Sequence, residues 1–292
     1  AISCIQEANA TAYRLHPGIM MIAEESTSWG GVTAMTEQGG LGYGLKWNMG
    51  WMNDTLHYMQ EKPVNRKWHH GELTFSLVYA FSEQFILPLS HDEVVHGKGS
   101  LYSKMPGDHW QKLAGIRLLF AYQWSHPGKQ LIFMGQEFAQ IDEWNSGRSL
   151  DWWLTDNPGH DGVMTCVKRL NEIYAEHPAL WSDDHTNNGF EWIEVNDSDH
   201  NVLAYLRKSS DGEDLVAAIC NFSGVPHNDY RVGLPHGGVW EEILNTDAVE
   251  YGGSGVGNLG AVEAEEVGWS GRSHSAIVQL PPYGVVYLTP QK

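Results

Sequence analysis

The sequence predicts an α/β unit built on a parallel sheet, followed by an all-β sandwich, and three observations predict it. Short apolar runs end in polar or acidic residues. Between them lie stretches with helical apolar spacing. After Trp181 the helical spacing disappears and strand-like alternation replaces it.

The first apolar run, Gly18-Ile19-Met20-Met21-Ile22-Ala23, reads as a strand buried on both faces and ends in Glu24-Glu25. The second, Phe85 to Leu89, ends in Ser90-His91-Asp92-Glu93, and the third, Gln130 to Met134, in Gly135-Gln136-Glu137. From Trp110, the positions Leu113, Ile116, Leu119, Phe120 and Trp124 recur at steps of three and four, and Pro127-Gly128 stops that helix. Val163, Val167, Leu170, Ile173 and Tyr174 predict another, ending at Pro178, and Ile2 to Leu15 predict one at the start. Asn53-Asp54 before Thr55-Leu56 predicts a capped helix start. Strand, polar loop, helix, strand in alternation implies parallel strands joined by right-handed crossovers.

The polar stretch 182–189 predicts a linker, dividing the chain into 1–182 and 183–292. Beyond it, Val202 to Arg207, Asp214 to Phe222 and two runs within Ser275 to Leu288 predict strands of a small antiparallel sandwich. Tyr251 to Gly260 is Gly-rich and predicts a loop.

Composition narrows the function classes. With 36 acidic against 18 basic residues, the net charge is -18. That argues against nucleic acid, which is bound through Lys and Arg on phosphates, and against an anionic membrane surface. No apolar run approaches the roughly 18 residues of a membrane helix. Cys4, Cys166 and Cys220 are odd in number and form no CxxC pair, so buried, reduced thiols and a cytoplasmic location are expected. Thirteen tryptophans are many, and flat aromatic faces suit sugar rings, although each one taken singly fits core packing as well.

Two acidic sites carry the candidate chemistry: Glu24 with Glu25, and Asp92 with Glu93. Acidic residues at strand ends are where a (β/α)8 barrel keeps its active site. Glycoside chemistry needs carboxyl groups on both sides of the scissile bond, one as acid and, in retaining enzymes, one as nucleophile about 5 Å away. Adjacent strand residues face opposite ways, so one member of each pair points into the site. His91, Asp92 and His96 have metal-ligand chemistry, but no further ligands at recognisable spacing accompany them, and His69-His70 reads as a polar loop. No metal and no cofactor are therefore expected.

Five strings in order carry a resemblance: IAEEST (22–27), GGLGYGLKWNMGWMNDTL (39–56), LPLSHDEVVHGKGSL (87–101), MPGDHWQKL (105–113) and MGQEFAQIDEWN (134–145). Together with SLDWWL (149–154) they resemble the glycogen branching enzymes of the α-amylase superfamily, over at least positions 14–181. The resemblance implies the C-terminal half of a (β/α)8 barrel, strands five to eight, followed by the family's all-β domain. It implies that Glu24 is the general acid/base and Asp92 the carboxylate that stabilises the oxocarbenium-like transition state. It makes His91, Lys46, Trp47 and Asn48 substrate-binding residues and an α-glucan, glycogen, the substrate. Glu137 matches a position that supports the cleft or serves structure alone. The implied reaction cleaves an α-1,4 bond, holds the chain as a glycosyl ester and transfers it to a 6-hydroxyl.

In that superfamily the nucleophile is an Asp on strand four. Positions 1–23 contain no Asp, and Glu7 is their one acidic residue. The expectation is a chain that begins at the helix before strand five and is inactive alone, with the N-terminal half of the enzyme as its partner. Truncation is favoured over a split gene. A hydrolytic relative of amylase, debranching or trehalohydrolase type is the alternative enzyme, and a non-catalytic glucan-binding module the alternative outside enzymes.

Overall fold

The computed structural model describes residues 1–291. Four short parallel strands, β1 (Ile22–Ala23), β2 (Leu45–Trp47), β3 (Phe85–Leu89) and β4 (Lys129–Ile132), stand in sheet order β1-β2-β3-β4. Helix α1 (Ile2–Leu15) precedes them. Helices α2 (Met49–Gln60), α3 (Pro63–Arg66) and α4 (His70–Phe75) connect β2 to β3. Helices α5 (Leu101–Lys104) and α6 (His109–Ser125) connect β3 to β4, and α7 (Pro158–Glu176) follows.

The two helices with the clearest apolar spacing form where their caps allow. Asp108 and Gln111 make a reciprocal capping box at the start of α6. Asn157 accepts the Gly159 N–H at 2.9 Å, and Pro158 occupies the first position of α7. Every residue of α6 from Leu113 to Ser125 is buried, so its apolar spacing shows only part of a helix that is covered on all sides.

The covering layer is antiparallel. Strands β5 (Phe190–Glu194), β6 (Val202–Lys208), β7 (Leu215–Asn221), β8 (His227–Leu234), β9 (Gly238–Asn245), β10 (Ala261–Ala264), β11 (His274–Leu280) and β12 (Gly284–Pro290) make two sheets. One has the order β10-β9-β12-β7-β6-β5 and the other pairs β11 with β8. Alternation sorts the side chains: Leu203, Tyr205, Val216, Ala218, Val285 and Tyr287 join the core of α6. Their neighbours Val202, Ala204, Leu206, Ala217, Ile219 and Val286 pack with Val232, Leu234 and Val278 of the smaller sheet.

Buried arginines fasten the two layers. Arg66 donates to Phe222 O at 2.7 Å and to Met59 O at 2.8 Å, and Arg117 donates to Thr246 O at 2.9 Å. Arg207 donates to Ser125 O at 2.7 Å and to Asp184 at 2.5 Å. The stretch expected as a linker is therefore a packed joint: Asp183 is buried, and Asp184 also binds Lys129 at 2.6 Å.

Three expectations need correction. The run 18–23 is not buried on both faces. Ile19, Met20 and Ile22 are exposed, because β1 is a sheet edge and only Ala23 turns inward. The helix start is not at Asn53-Asp54, which lie inside α2; its cap is Asn48, whose Oδ1 accepts the Trp51 N–H at 2.9 Å. Cys166 and Cys220 are buried, which pushes both thiols up to about 12, but Cys4 is exposed. The cap makes a measurable prediction. Asn48→Ala should lower stability by about 1 kcal/mol, read as a lower urea midpoint, and a midpoint unchanged from the parent would exclude that role.

Candidate active site

Glu24 directly follows β1, and Asp92 follows β3 by three residues, with β2 between the two strands. Both are exposed. Their neighbours are tied down. Glu25 bonds the Lys46 ammonium at 2.7 Å and accepts the Thr27 N–H at 2.5 Å. Burial works against its charge, yet Lys46 and Thr27 hold the Glu25 carboxyl below the usual carboxylate range. Glu93 is buried and accepts the Ser90 N–H at 2.5 Å, while Ser90 Oγ accepts the Asp92 N–H at 3.2 Å. This capping box fixes the turn after β3 so that Glu93 points in while His91 and Asp92 point out.

The division within each pair comes from these anchoring bonds, since both pairs lie beyond their strands. Glu24 makes no hydrogen bond or ion pair among the described residues, which leaves its carboxyl available to a ligand. Asp92 Oδ1 lies 3.2 Å from His91 Nε2, both about half exposed.

Lys46, Trp47 and Asn48 occupy the middle strand and the helix cap after it. Lys46 is buried, and its ammonium is occupied by Glu25 and by Thr27 O at 3.2 Å. Its immediate effect is to hold the chain that follows Glu24. Asn48 is buried as the α2 cap and also accepts from Tyr79 OH at 3.2 Å. Trp47 and Asn48 line a cleft of about 510 Å³ with Glu25, Trp29, Lys46 and Tyr79. Glu137 closes its own turn, accepting the Gly135 N–H at 2.7 Å.

The two acidic sites follow strands that are not neighbours in the sheet. Ala23 pairs with Lys46 and Lys46 with Phe85, so Glu24 lies near the level of Ile86, six residues before Asp92. The strands carrying them are two strand spacings apart, about 10 Å. A third group of residues joins the same side. His96, Ser103, Glu143, Trp144, Asn145 and Arg148 line a cleft of about 730 Å³ beside the turn after β3.

Residues 192–291 match the family model described as the alpha amylase, C-terminal all-beta domain. A 1,4-alpha-glucan branching enzyme GlgB of Leifsonia xyli is 59% identical over 99% of this chain and 39% of its own length. Those of Nocardia farcinica and Mycolicibacterium paratuberculosis are 58% and 55% identical over 99% and 100% of this chain, and over 39% and 40% of theirs. Over nearly its whole length this chain is similar to part of the GlgB branching enzymes. It spans about 40% of the length of these relatives.

Two further glutamates, neither singled out by its sequence, hold loops in place. Glu83 is buried and accepts from Val32 N at 2.8 Å, from Thr33 N at 2.7 Å and from Thr33 Oγ1, holding the loop after β1. Glu143 accepts the Gly99 N–H at 2.7 Å, and the Gly99 and Gly97 amides hold its carboxyl below the usual range. Each is far in sequence from the loop it holds, and nothing in its local sequence, including the Asp142 beside Glu143, marks that contact. Among the described residues no helix is long and apolar enough to cross a membrane.

Proposed function

We propose that this chain carries the acid/base and the transition-state carboxylate of a retaining α-1,4-glucan branching reaction. Glu24 is the acid: it protonates the glycosidic oxygen as a carboxylate attacks the anomeric carbon, and the cleaved chain is held as a glycosyl ester. Glu24, now ionised, takes the proton of an acceptor 6-hydroxyl, whose oxygen displaces the ester and forms the α-1,6 bond. Asp92 and His91 hold sugar hydroxyls, with Asp92 stabilising the positive charge at the anomeric carbon. Trp47 and Asn48 border the acceptor, and Lys46 keeps Glu24 in position through Glu25. The substrate is an α-glucan such as glycogen, an uncharged polymer to which the acidic surface is indifferent.

We take β1 to β4 as strands five to eight of a (β/α)8 barrel, with 1–182 as the barrel part and 183–292 as the β-sandwich. The parallel order β1-β2-β3-β4, with helices between β2 and β3 and between β3 and β4, supports this reading. The attacking carboxylate is assigned outside this chain, because no Asp lies in residues 1–23. The polypeptide that supplies it is the proposed partner.

The single observation that carries the reading is the pair of exposed carboxylates, Glu24 and Asp92. Each follows a parallel strand beside a tied-down acidic neighbour, in a chain 59% identical to a branching enzyme. The test is a hybrid in which this chain replaces the matching part of the Leifsonia xyli enzyme. It should lower iodine staining of amylose with little release of reducing ends, while the 292-residue chain alone does neither. Reducing ends released in step with lost staining would make it a hydrolase instead. Branching by the isolated chain would overturn the assignment of the nucleophile.

A further inference from the structure

Away from the strand ends, one side-chain cluster converges on a single point. His57 lies in the last turn of α2, His69 caps α4, and Glu72 lies in the first turn of α4. His57 Nδ1 is 2.8 Å from Glu72 Oε2, and His69 Nδ1 is 2.8 Å from Glu72 Oε1. The two rings stand 5.5 Å apart at 65°. One donor atom from each residue lies within 4.8 Å of the other two.

We propose that His57, His69 and Glu72 form a binding site for one first-row divalent cation, zinc fitting best, that ties α2 to α4.

The donor set selects the ion. Two imidazoles and one carboxylate suit zinc, cobalt or nickel, whereas magnesium and calcium favour all-oxygen shells. Three protein ligands leave a fourth tetrahedral position for water. His69 and Glu72 are three residues apart at a helix start, so backbone geometry holds them on one face, and His57 closes the site from the neighbouring helix. Zinc–nitrogen bonds of about 2.0–2.1 Å require the donors to draw closer than they stand. The means is present, because the His57 side chain is 60% exposed and free to turn.

The surroundings favour a cation. Asp54 and Glu61 flank His57 one turn away on either side; Arg66 lies close enough to Glu61 to offset its charge, while no Lys or Arg forms an ion pair with Asp54 or Glu72 among the described residues. A dication relieves the repulsion between Asp54 and Glu72. The site serves structure. His57 and the Asn48 cap are at opposite ends of α2, about 13 Å apart at 1.5 Å per residue. The proposal does not depend on the glucan reading.

The experiment titrates zinc sulfate into the metal-free, tag-free 292-residue chain by calorimetry. One equivalent should bind, and the melting temperature should rise by about 3 °C and fall back with EDTA. His57→Ala, His69→Ala and Glu72→Gln should each weaken binding at least tenfold, and His185→Ala, at another exposed histidine, should leave it unchanged. Cobalt(II) should give the strong visible bands of a four-coordinate ion, lost in His57→Ala. His57 is exposed and His69 and Glu72 are half-buried, and circular dichroism checks that each variant is folded. No binding, or one equivalent bound equally by the parent and all three variants, would overturn the proposal.

Discussion

In the hybrid branching enzyme, Glu24→Gln is expected to reduce branching by about 10²–10⁴-fold. The amide keeps the shape of the carboxyl but holds no acidic proton, so the glycosidic oxygen departs without protonation. Glu24 makes no hydrogen bond or ion pair among the described residues, so the change should alter stability by no more than about 0.5 kcal/mol. A glucosyl fluoride, whose leaving group needs little help, should recover the first step and trap the glycosyl ester. Glycogen binding should persist, which places the loss in kcat. Glu25→Gln is the informative contrast. It removes the partner of a buried Lys46, so its effect should come through the position of Glu24, and a leaving group that needs no proton should not repair it. If Glu24→Gln is active and Glu25→Gln is the variant rescued by fluoride, the roles of the two residues are reversed.

The acidic pairs were legible because strand chemistry is local. A run of apolar residues followed by two carboxylates announces a strand end, whereas what parts the two members is bonding beyond the strand: Lys46 and Thr27 on Glu25, and the Ser90 capping box on Glu93. Helices α6 and α7 were legible for the same reason, since 3.6-residue spacing is visible within one window. The cap of α2 was misread because Asn53-Asp54 has the same cap chemistry as Asn48, and only the buried Trp51 and Met52 show that the helix has already begun. Strands β8 and β9 escaped notice because charged and polar residues interrupt them: β9 carries Glu241 and Glu242 at its centre, and β8 begins His227-Asn228-Asp229; β5 and β10 are only five and four residues long, too short for a pattern. Strand β1 was expected in a buried setting, yet what covers a strand is a fact about its neighbours. The cluster of His57, His69 and Glu72 was invisible for a related reason. Two of its members are three residues apart, but the third comes from another helix, and only packing brings it near.

Arg207→Met should destabilise the chain by about 3–5 kcal/mol, a large share of the roughly 5–15 kcal/mol that a folded protein has in total. Arg207 is fully buried and donates in three directions: to Ser125 O at 2.7 Å, to Gly189 O at 3.2 Å, and to Leu180 O at 3.4 Å beside Asp184 at 2.5 Å. Methionine fills most of the volume but leaves three carbonyls without that donor and Asp184 with Lys129 as its remaining cation. Lysine should not rescue it, because a single ammonium cannot span positions that a planar guanidinium reaches at once. The Lys129 side chain is 39% exposed, so Lys129→Met should cost much less, about 1 kcal/mol or below. The origin of the cost can be separated from the worth of the pair. If it comes from stranding a buried carboxylate, the double variant Arg207→Met/Asp184→Leu should recover a substantial part of the loss, since replacing both ions by apolar groups is often nearly neutral. Urea unfolding of the parent, the single variants and the double variant measures this directly. A loss below about 1 kcal/mol for Arg207→Met would mean that the joint between helix and sandwich is held by the packing of Tyr205 and Tyr287 against α6, with the arginine an accessory to it.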